Sequence, residues 1–112
     1  MSIETDIKQV PGIFEHIAAE GRVAALRDTN CVYEFDISDG GGVWFLKLEH
    51  GSPHLSEKVE HPDAIVECSP ADFIAVTHGE QNLMTAFLQG RIKCSGNLGY
   101  ALDFRRLTPV PA

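Results

Sequence analysis

The sequence lacks any long run of apolar residues, whereas a helix that spans a membrane needs about 18 of them in succession. The N-terminal stretch MSIETDIKQV carries acidic side chains and has no apolar core of signal-peptide length. From these two absences we expect neither a secretory leader nor a membrane-spanning helix. We therefore predict a cytoplasmic protein without stable membrane insertion.

Basic residues are also scarce, because 9 Lys and Arg stand against 16 Asp and Glu and the formal net charge is -7. Binding to nucleic acid depends on neutralising many backbone phosphates. Four cations do gather towards the C-terminal end, but among so many acidic residues we interpret them as a solvated rim. They are Arg91, Lys93, Arg105 and Arg106. The charge balance predicts no nucleic-acid partner.

Cysteine is rare as well, with Cys31, Cys68 and Cys94 widely spaced and odd in number. Each lies in a segment with the alternation of a strand, so we interpret them as reduced thiols in or near the core. No cysteine pair has the spacing of zinc ligands, and His50 and His54 flank a turn where solvated side chains are expected. We predict neither a bound metal nor another cofactor.

Recognisable catalytic motifs are missing too. The glycines after Asp39 join two predicted strands, whereas a phosphate-binding loop must lead into a helix. No serine has the context of a nucleophile elbow, and Cys94 has little electrostatic reason to be reactive. Four carboxylates lie where the polar faces of half-buried strands are expected: Glu34, Asp36, Glu49 and Glu67. We assign no catalytic residue.

The chain of 112 residues, 44% of them hydrophobic, fits one folded domain over residues 1–112. Its N-terminal part predicts a helix between residues 3 and 26, with Pro11 in the first helical turn and a separate turn or arm before it. The apolar residues that bring this helix to a core are Ile13, Ile17, Val23 and Leu26.

From Asn30 the apolar residues alternate with a period of two, which is typical of half-buried strands. Glycines at 40–42 predict a hairpin, and Gly51-Ser52-Pro53 predicts the next turn. The segment AIVECS then adds a short apolar strand. Together these segments predict a meander of four strands.

Helices follow the predicted meander. Ser69 and Pro70 are typical of a helix start, Asn82 to Leu88 predicts a second short helix, and RIKCS predicts a fifth strand before a last helix capped by Asn97. The apolar arc of the last helix is wider than contact with one sheet requires. It consists of Leu98, Tyr100, Ala101, Leu102, Phe104 and Leu107. Such an arc indicates either a pocket or a contact surface.

Four segments in this order resemble the sterol carrier protein type-two domain family, most strongly over residues 30–107. They are VYEFDIS, VWFLKLEHG, PDAIVECSPADFIAV and GRIKCSGN. The resemblance implies an α+β fold with a five-stranded, largely antiparallel sheet covered by helices. It also implies an apolar tunnel between sheet and helices that takes acyl chains, phospholipids or sterols.

We therefore predict a non-enzymatic carrier or binding domain whose partner is a hydrophobic small molecule. The side chains expected to line its apolar pocket are Phe35, Trp44, Leu46, Phe73, Leu83, Met84, Phe87, Leu98, Tyr100, Ala101 and Phe104. Because Leu83, Met84 and Phe87 share one helical stripe, we expect Phe87 to face the ligand.

Other roles stay open at this point. The same pocket suits a small cyclase or isomerase in which Tyr33, Asp36, Tyr100 or a histidine supplies a proton. An accessory protein of a biosynthetic enzyme is another alternative. A third is an interaction module whose apolar helix face docks on a partner or on a second copy of the chain. The sequence separates neither a homodimer nor a complex with a partner enzyme from a monomer.

Overall fold

The structure is a computed structural model that describes residues 3–19 and 23–107. In these ranges four α-helices and two short 3-10 helices accompany one five-stranded sheet. The α-helices are α1 (Ile3–Ala19), α2 (Pro70–Thr77), α3 (Leu83–Leu88) and α4 (Leu98–Asp103), and the 3-10 helices are Ala24–Leu26 and Phe104–Leu107. The strands are β1 (Cys31–Ile37), β2 (Gly42–Glu49), β3 (Ser52–Ser56), β4 (Ala64–Cys68) and β5 (Lys93–Gly96). No helix in the described ranges is long and apolar enough to cross a bilayer.

The strands lie in the order β3-β2-β1-β4-β5. Three of the neighbouring pairs are antiparallel, but β4 runs parallel to β1. Five strands and a largely antiparallel sheet are confirmed, whereas the predicted four-stranded meander is wrong. The composition of the strands explains the observed order. Pro53 in β3 donates no backbone hydrogen bond, so β3 suits an edge of the sheet, whereas the apolar β4 suits a central position.

Alternation along β1 separates the two faces of the sheet. Cys31, Tyr33, Phe35 and Ile37 are buried on the inner face, which the helices cover. The side chains between them point to the outer face, away from the helices. The strand pattern predicted from the sequence is thus confirmed.

The turn from β2 to β3 lies one step earlier than predicted, at His50 and Gly51, because Ser52 already pairs with Glu49. Both turn residues have positive φ angles, 49° for His50 and 79° for Gly51. Such angles suit the right-handed twist of a two-residue hairpin.

Helix α1 differs from its prediction at both ends. Pro11 lies inside the helix rather than in its first turn, the preceding residues from Ile3 are helical, and the helix ends at Ala19. Leu26 belongs to a separate 3-10 helix, and Gly21 is outside the described residues. A proline inside a helix destabilises it by about 3 kcal/mol, but each fully buried apolar side chain returns about 1.5–3 kcal/mol. The buried side chains of α1 that outweigh the proline are Val10, Ile13, Phe14 and Ile17.

The later helices begin where the sequence predicted. Ser69, Asn82 and Asn97 each accept a hydrogen bond from the backbone N–H three residues further on, at 3.1, 2.9 and 3.0 Å. Each side chain thereby satisfies a donor that has no partner inside its helix. These caps fix the first residues of α2, α3 and α4.

Candidate functional site

Aromatic rings from the helices and from the sheet meet in the interior between them. Phe14 of α1 stacks on Phe73 of α2 with ring centroids 4.9 Å apart and on Trp44 of β2 at 4.8 Å. Phe35 of β1 lies 4.8 Å from Phe104. Since the four phenylalanines are at most 1% exposed, they fill this part of the interior.

Tyr33 joins the inner face of β1 to α4. Its side chain is fully buried, and its hydroxyl donates a hydrogen bond of 2.6 Å to the backbone carbonyl of Tyr100. Burial, followed by the neighbouring Cys31, raises the pKa of Tyr33 far above its ordinary value. The phenol therefore stays protonated and acts as a tie between sheet and helix.

Side chains of α3 and α4 are less completely enclosed. Leu83 and Ala86 of α3 are buried, whereas Met84, Phe87 and Tyr100 are only half-buried. Helix α3 has six residues, of which Leu83 and Ala86 belong to the buried apolar cluster. So short a helix has little stability of its own, and its position depends on the packing of these two side chains.

The structure brings eight of the predicted pocket residues together. They belong to one apolar cluster: Phe35, Trp44, Leu46, Phe73, Leu83, Tyr100, Ala101 and Phe104. Met84 and Phe87 are half-buried outside that cluster, and Leu98 is 45% exposed. The pocket assignment as a whole stays a prediction.

Sequence reasoning missed Phe14, which contacts the rings of Phe35, Trp44 and Phe73. The signal was present, because Val10, Phe14 and Ile17 recur at spacings of four and three residues. Because the predicted helix begins at Pro11, Val10 was left outside it and the stripe was not recognised.

The polar groups considered for catalysis do not converge in the interior. Tyr33 and Asp36 lie on opposite faces of β1, because they are an odd number of residues apart in one strand. The hydroxyl of Tyr33 is already engaged by Tyr100. In residues 3–19 and 23–107 no three His, Cys, Asp or Glu side chains are grouped so that they could hold a metal ion.

A cavity of about 450 Å³ lies at one end of the sheet, against Asp36, Val43, Glu67 and Lys93. It does not involve the predicted apolar pocket residues. The tunnel between sheet and helices that the resemblance implied stays a prediction.

The protein is an α+β domain in which helices cover a five-stranded mixed sheet and enclose an aromatic interior. The profile of the SCP-2 sterol transfer family matches residues 13–109, and the chain belongs to this family. The resemblance predicted from the sequence is thereby confirmed.

Relatives within the family are larger proteins. Over 85 residues the chain is 31% identical to hydroxysteroid dehydrogenase-like protein 2 of Bos taurus, a match that covers 73% of this chain and 20% of that protein. It is also 31% identical over 85 residues to sterol carrier protein 2 of Gallus gallus, with 71% of this chain and 16% of that protein covered. The chain thus spans a fifth or less of the length of these curated relatives.

A solved structure of similar size shares the fold. The solution structure of palmitated SCP2L2 from Aedes aegypti matches with a TM-score of 0.61 and 23% identity. The match covers 96% of this chain and 94% of that chain.

Proposed function

We propose that this chain is a non-enzymatic carrier domain that binds a hydrophobic small molecule, such as a lipid acyl chain or a sterol. The observation that carries the proposal is its membership of the SCP-2 sterol transfer family. The names of its relatives agree with it, since one is a sterol carrier protein and another was solved in palmitated form.

The ligand would lie between the sheet and the helices, beneath α3 and α4. Phe14 and Phe73 fill the interior between α1 and α2, which offers no space there without rearrangement. At the α3 end, Met84 and Phe87 are half-buried outside the apolar cluster, and the flexible thioether of Met84 adapts to irregular shapes. A small outward shift of α3 would admit an acyl chain there.

The energetics permit such a shift. An acyl chain gains about 0.8 kcal/mol for each methylene that leaves water, so about ten methylenes supply roughly 8 kcal/mol before ordering is subtracted. Against this stands the packing of Leu83 and Ala86, the buried residues of the six-residue helix α3. Leu98, which is 45% exposed, would lie near the entrance.

Carriage is favoured over catalysis by the chemistry of the interior. The side chains offered to a ligand there are aliphatic or aromatic, and the hydroxyl of Tyr33 is used in holding α4. A cyclase or isomerase needs an acid or base within hydrogen-bond reach of its substrate.

The test measures loading of a fluorescent fatty acid and its displacement by palmitate, together with native mass spectrometry of the purified chain. Phe87→Asp should weaken loading by at least tenfold, because its carboxylate would be buried without a partner against the ligand. Leu88→Asp is the matched control, since it introduces the same charge at the neighbouring, exposed position of α3.

Normal loading by Phe87→Asp together with a changed oligomeric state would make Phe87 an interface residue. That result would favour an interaction module. If the unaltered chain neither binds the fluorescent fatty acid nor retains a lipid during purification, the carrier proposal is wrong.

A further inference from the structure

The cavity of about 450 Å³ lies at one end of the sheet, where residues of the outer face contribute most of its charged lining. This volume lies within the range of about 300–1,000 Å³ that is typical of small-molecule sites. The cavity opens where β1 and β4 end and where β2 and β5 begin. Its lining residues are Asp36, Ile37, Ser38, Val43, Glu67, Cys68, Ser69, Arg91 and Lys93.

Strand register arranges the charges of this cavity in one row. Asp36 of β1 pairs with Val43 of β2 on one side and with Glu67 of β4 on the other, and Glu67 pairs with Lys93 of β5. Directly paired residues point to the same face of a sheet. Two carboxylates therefore stand side by side at the centre, between an apolar side chain and an ammonium group.

A third carboxylate adds to the negative charge, because Glu34 lies two residues before Asp36 on the same face of β1. Burial is the largest cause that raises the pKa of Glu34, and the charges of Asp36 and Glu67 act in the same direction, whereas Lys58 lowers it. Burial and the neighbouring carboxylates thus disfavour ionisation of Glu34.

Arg91 at the rim does not pair with these carboxylates, because Asp72 holds it, with 3.2 Å between Nη1 and Oδ1. Lys93, which pairs with Glu67 across the sheet, and Lys58, which acts on Glu34, are further cations near the three carboxylates. Oδ1 of Asp36 is buried and has no hydrogen-bond partner among the described residues. A buried acceptor of this kind is rare in folded proteins and favours a donor from outside the chain.

We propose that this cavity is a second binding site, which takes a small organic cation with a primary ammonium group and a short apolar portion. The ammonium group would donate to Asp36 and Glu67, and the apolar portion would lie against Val43, which is 61% exposed in the free protein. The net charge of -7 raises the local concentration of cations around the chain.

An organic cation fits better than a metal ion. No group of three His, Cys, Asp or Glu in the part of the chain that the structure describes could coordinate a metal. The cavity is also far larger than the roughly 30 Å³ that a water molecule occupies in the liquid, and an ion has similar dimensions. An aliphatic portion beside the ammonium group would use the remaining volume.

The test is a titration of the ¹⁵N-labelled full chain, followed by amide chemical shifts, with two probes of equal chain length and opposite charge. Hexylammonium chloride should give saturable shifts at Asp36, Val43, Glu67 and Lys93, whereas sodium hexanoate should not. Asp36→Asn and Glu67→Gln should each weaken hexylammonium binding by at least tenfold. Glu60→Gln, which removes one charge from an exposed position outside the cavity, should leave binding unchanged.

Equal shifts with hexanoate, absence of saturation at millimolar hexylammonium, or unchanged binding by both cavity variants would overturn the proposal. Saturable shifts of the same amides by magnesium chloride, in preference to hexylammonium, would assign the cavity to an inorganic ion and also overturn it. None of these measurements depends on lipid loading, so the carrier proposal can fail or hold independently.

Discussion

The hydroxyl of Tyr33 donates a hydrogen bond of 2.6 Å to the backbone carbonyl of Tyr100, 67 residues further along the chain. It joins the centre of the sheet to the last helix. The donor is a side chain and the acceptor is a backbone atom. Substitution of Tyr33 therefore removes the hydrogen bond, whereas substitution of the Tyr100 side chain retains the acceptor.

Tyr33→Phe should lower the free energy of unfolding by about 1–3 kcal/mol, since it leaves the partly buried carbonyl of Tyr100 without its donor. Chemical denaturation measures this loss, and faster amide hydrogen exchange in α4 should accompany it. Tyr100→Phe is the control, because it retains the backbone acceptor and should change stability less. An equal loss in both variants would contradict the role of this hydrogen bond.

Phe14→Ala should destabilise the protein by about 3–5 kcal/mol, because it removes a fully buried ring from contact with Phe35, Trp44 and Phe73. The denaturation midpoint reports this change. Leu88→Ala, at a side chain that is 75% exposed, should stay within about 0.5 kcal/mol of the original chain. Comparable losses at the two positions would show that Phe14 is not central to the core.

Gly51→Ala should destabilise the chain more than Gly90→Ala. Both glycines have positive φ angles, 79° and 77°, at which an alanine is strained by about 1–2 kcal/mol. At Gly51 a Cβ atom would also lie 2.7 Å from the backbone oxygen of Leu26, whereas at Gly90 nothing lies within 4 Å. Thermal unfolding of the two variants separates the steric clash from the strain, and equal midpoints would contradict the close approach.

Alkaline pH should destabilise the fold through its buried thiols. Burial is the largest cause that raises the pKa of Cys68 from 9.0 to about 12. Between these pH values the unfolded chain has released a proton that the folded chain still holds, so each rise in pH favours unfolding. This contribution to stability is present below pH 9.0 and is lost as the pH rises towards about 12.

Cys68→Ala should reduce the slope of unfolding free energy against pH over that interval, and denaturant titrations at several pH values measure it. Cys31, whose pKa burial raises to about 11, retains its own contribution in this variant. An unchanged slope would show that Cys68 ionises equally readily in the folded and unfolded chain.

Much of the secondary structure could be predicted because its causes are local. The alternation in β1 and the N-cap side chains Ser69, Asn82 and Asn97 act within a few residues of chain. Helix α1 was predicted less well, since Pro11 has a local preference for a first turn that the burial of Phe14 overrides. Burial is a property of the assembled core and has no equivalent in a short window of sequence.

The same distinction between local and tertiary causes applies to the candidate sites. Composition and periodicity were sufficient to indicate an apolar interior under helices, because apolar side chains must leave water wherever the chain permits it. The partner of β4 was decided only in the tertiary structure, where β4 crosses the sheet to lie parallel to β1. That pairing also brings Asp36 beside Glu67 and opens the outer cavity. Alternation determines on which face of a strand a side chain lies. Which strand becomes the neighbour depends on how all strands pair their backbone groups and bury their apolar side chains in the assembled sheet.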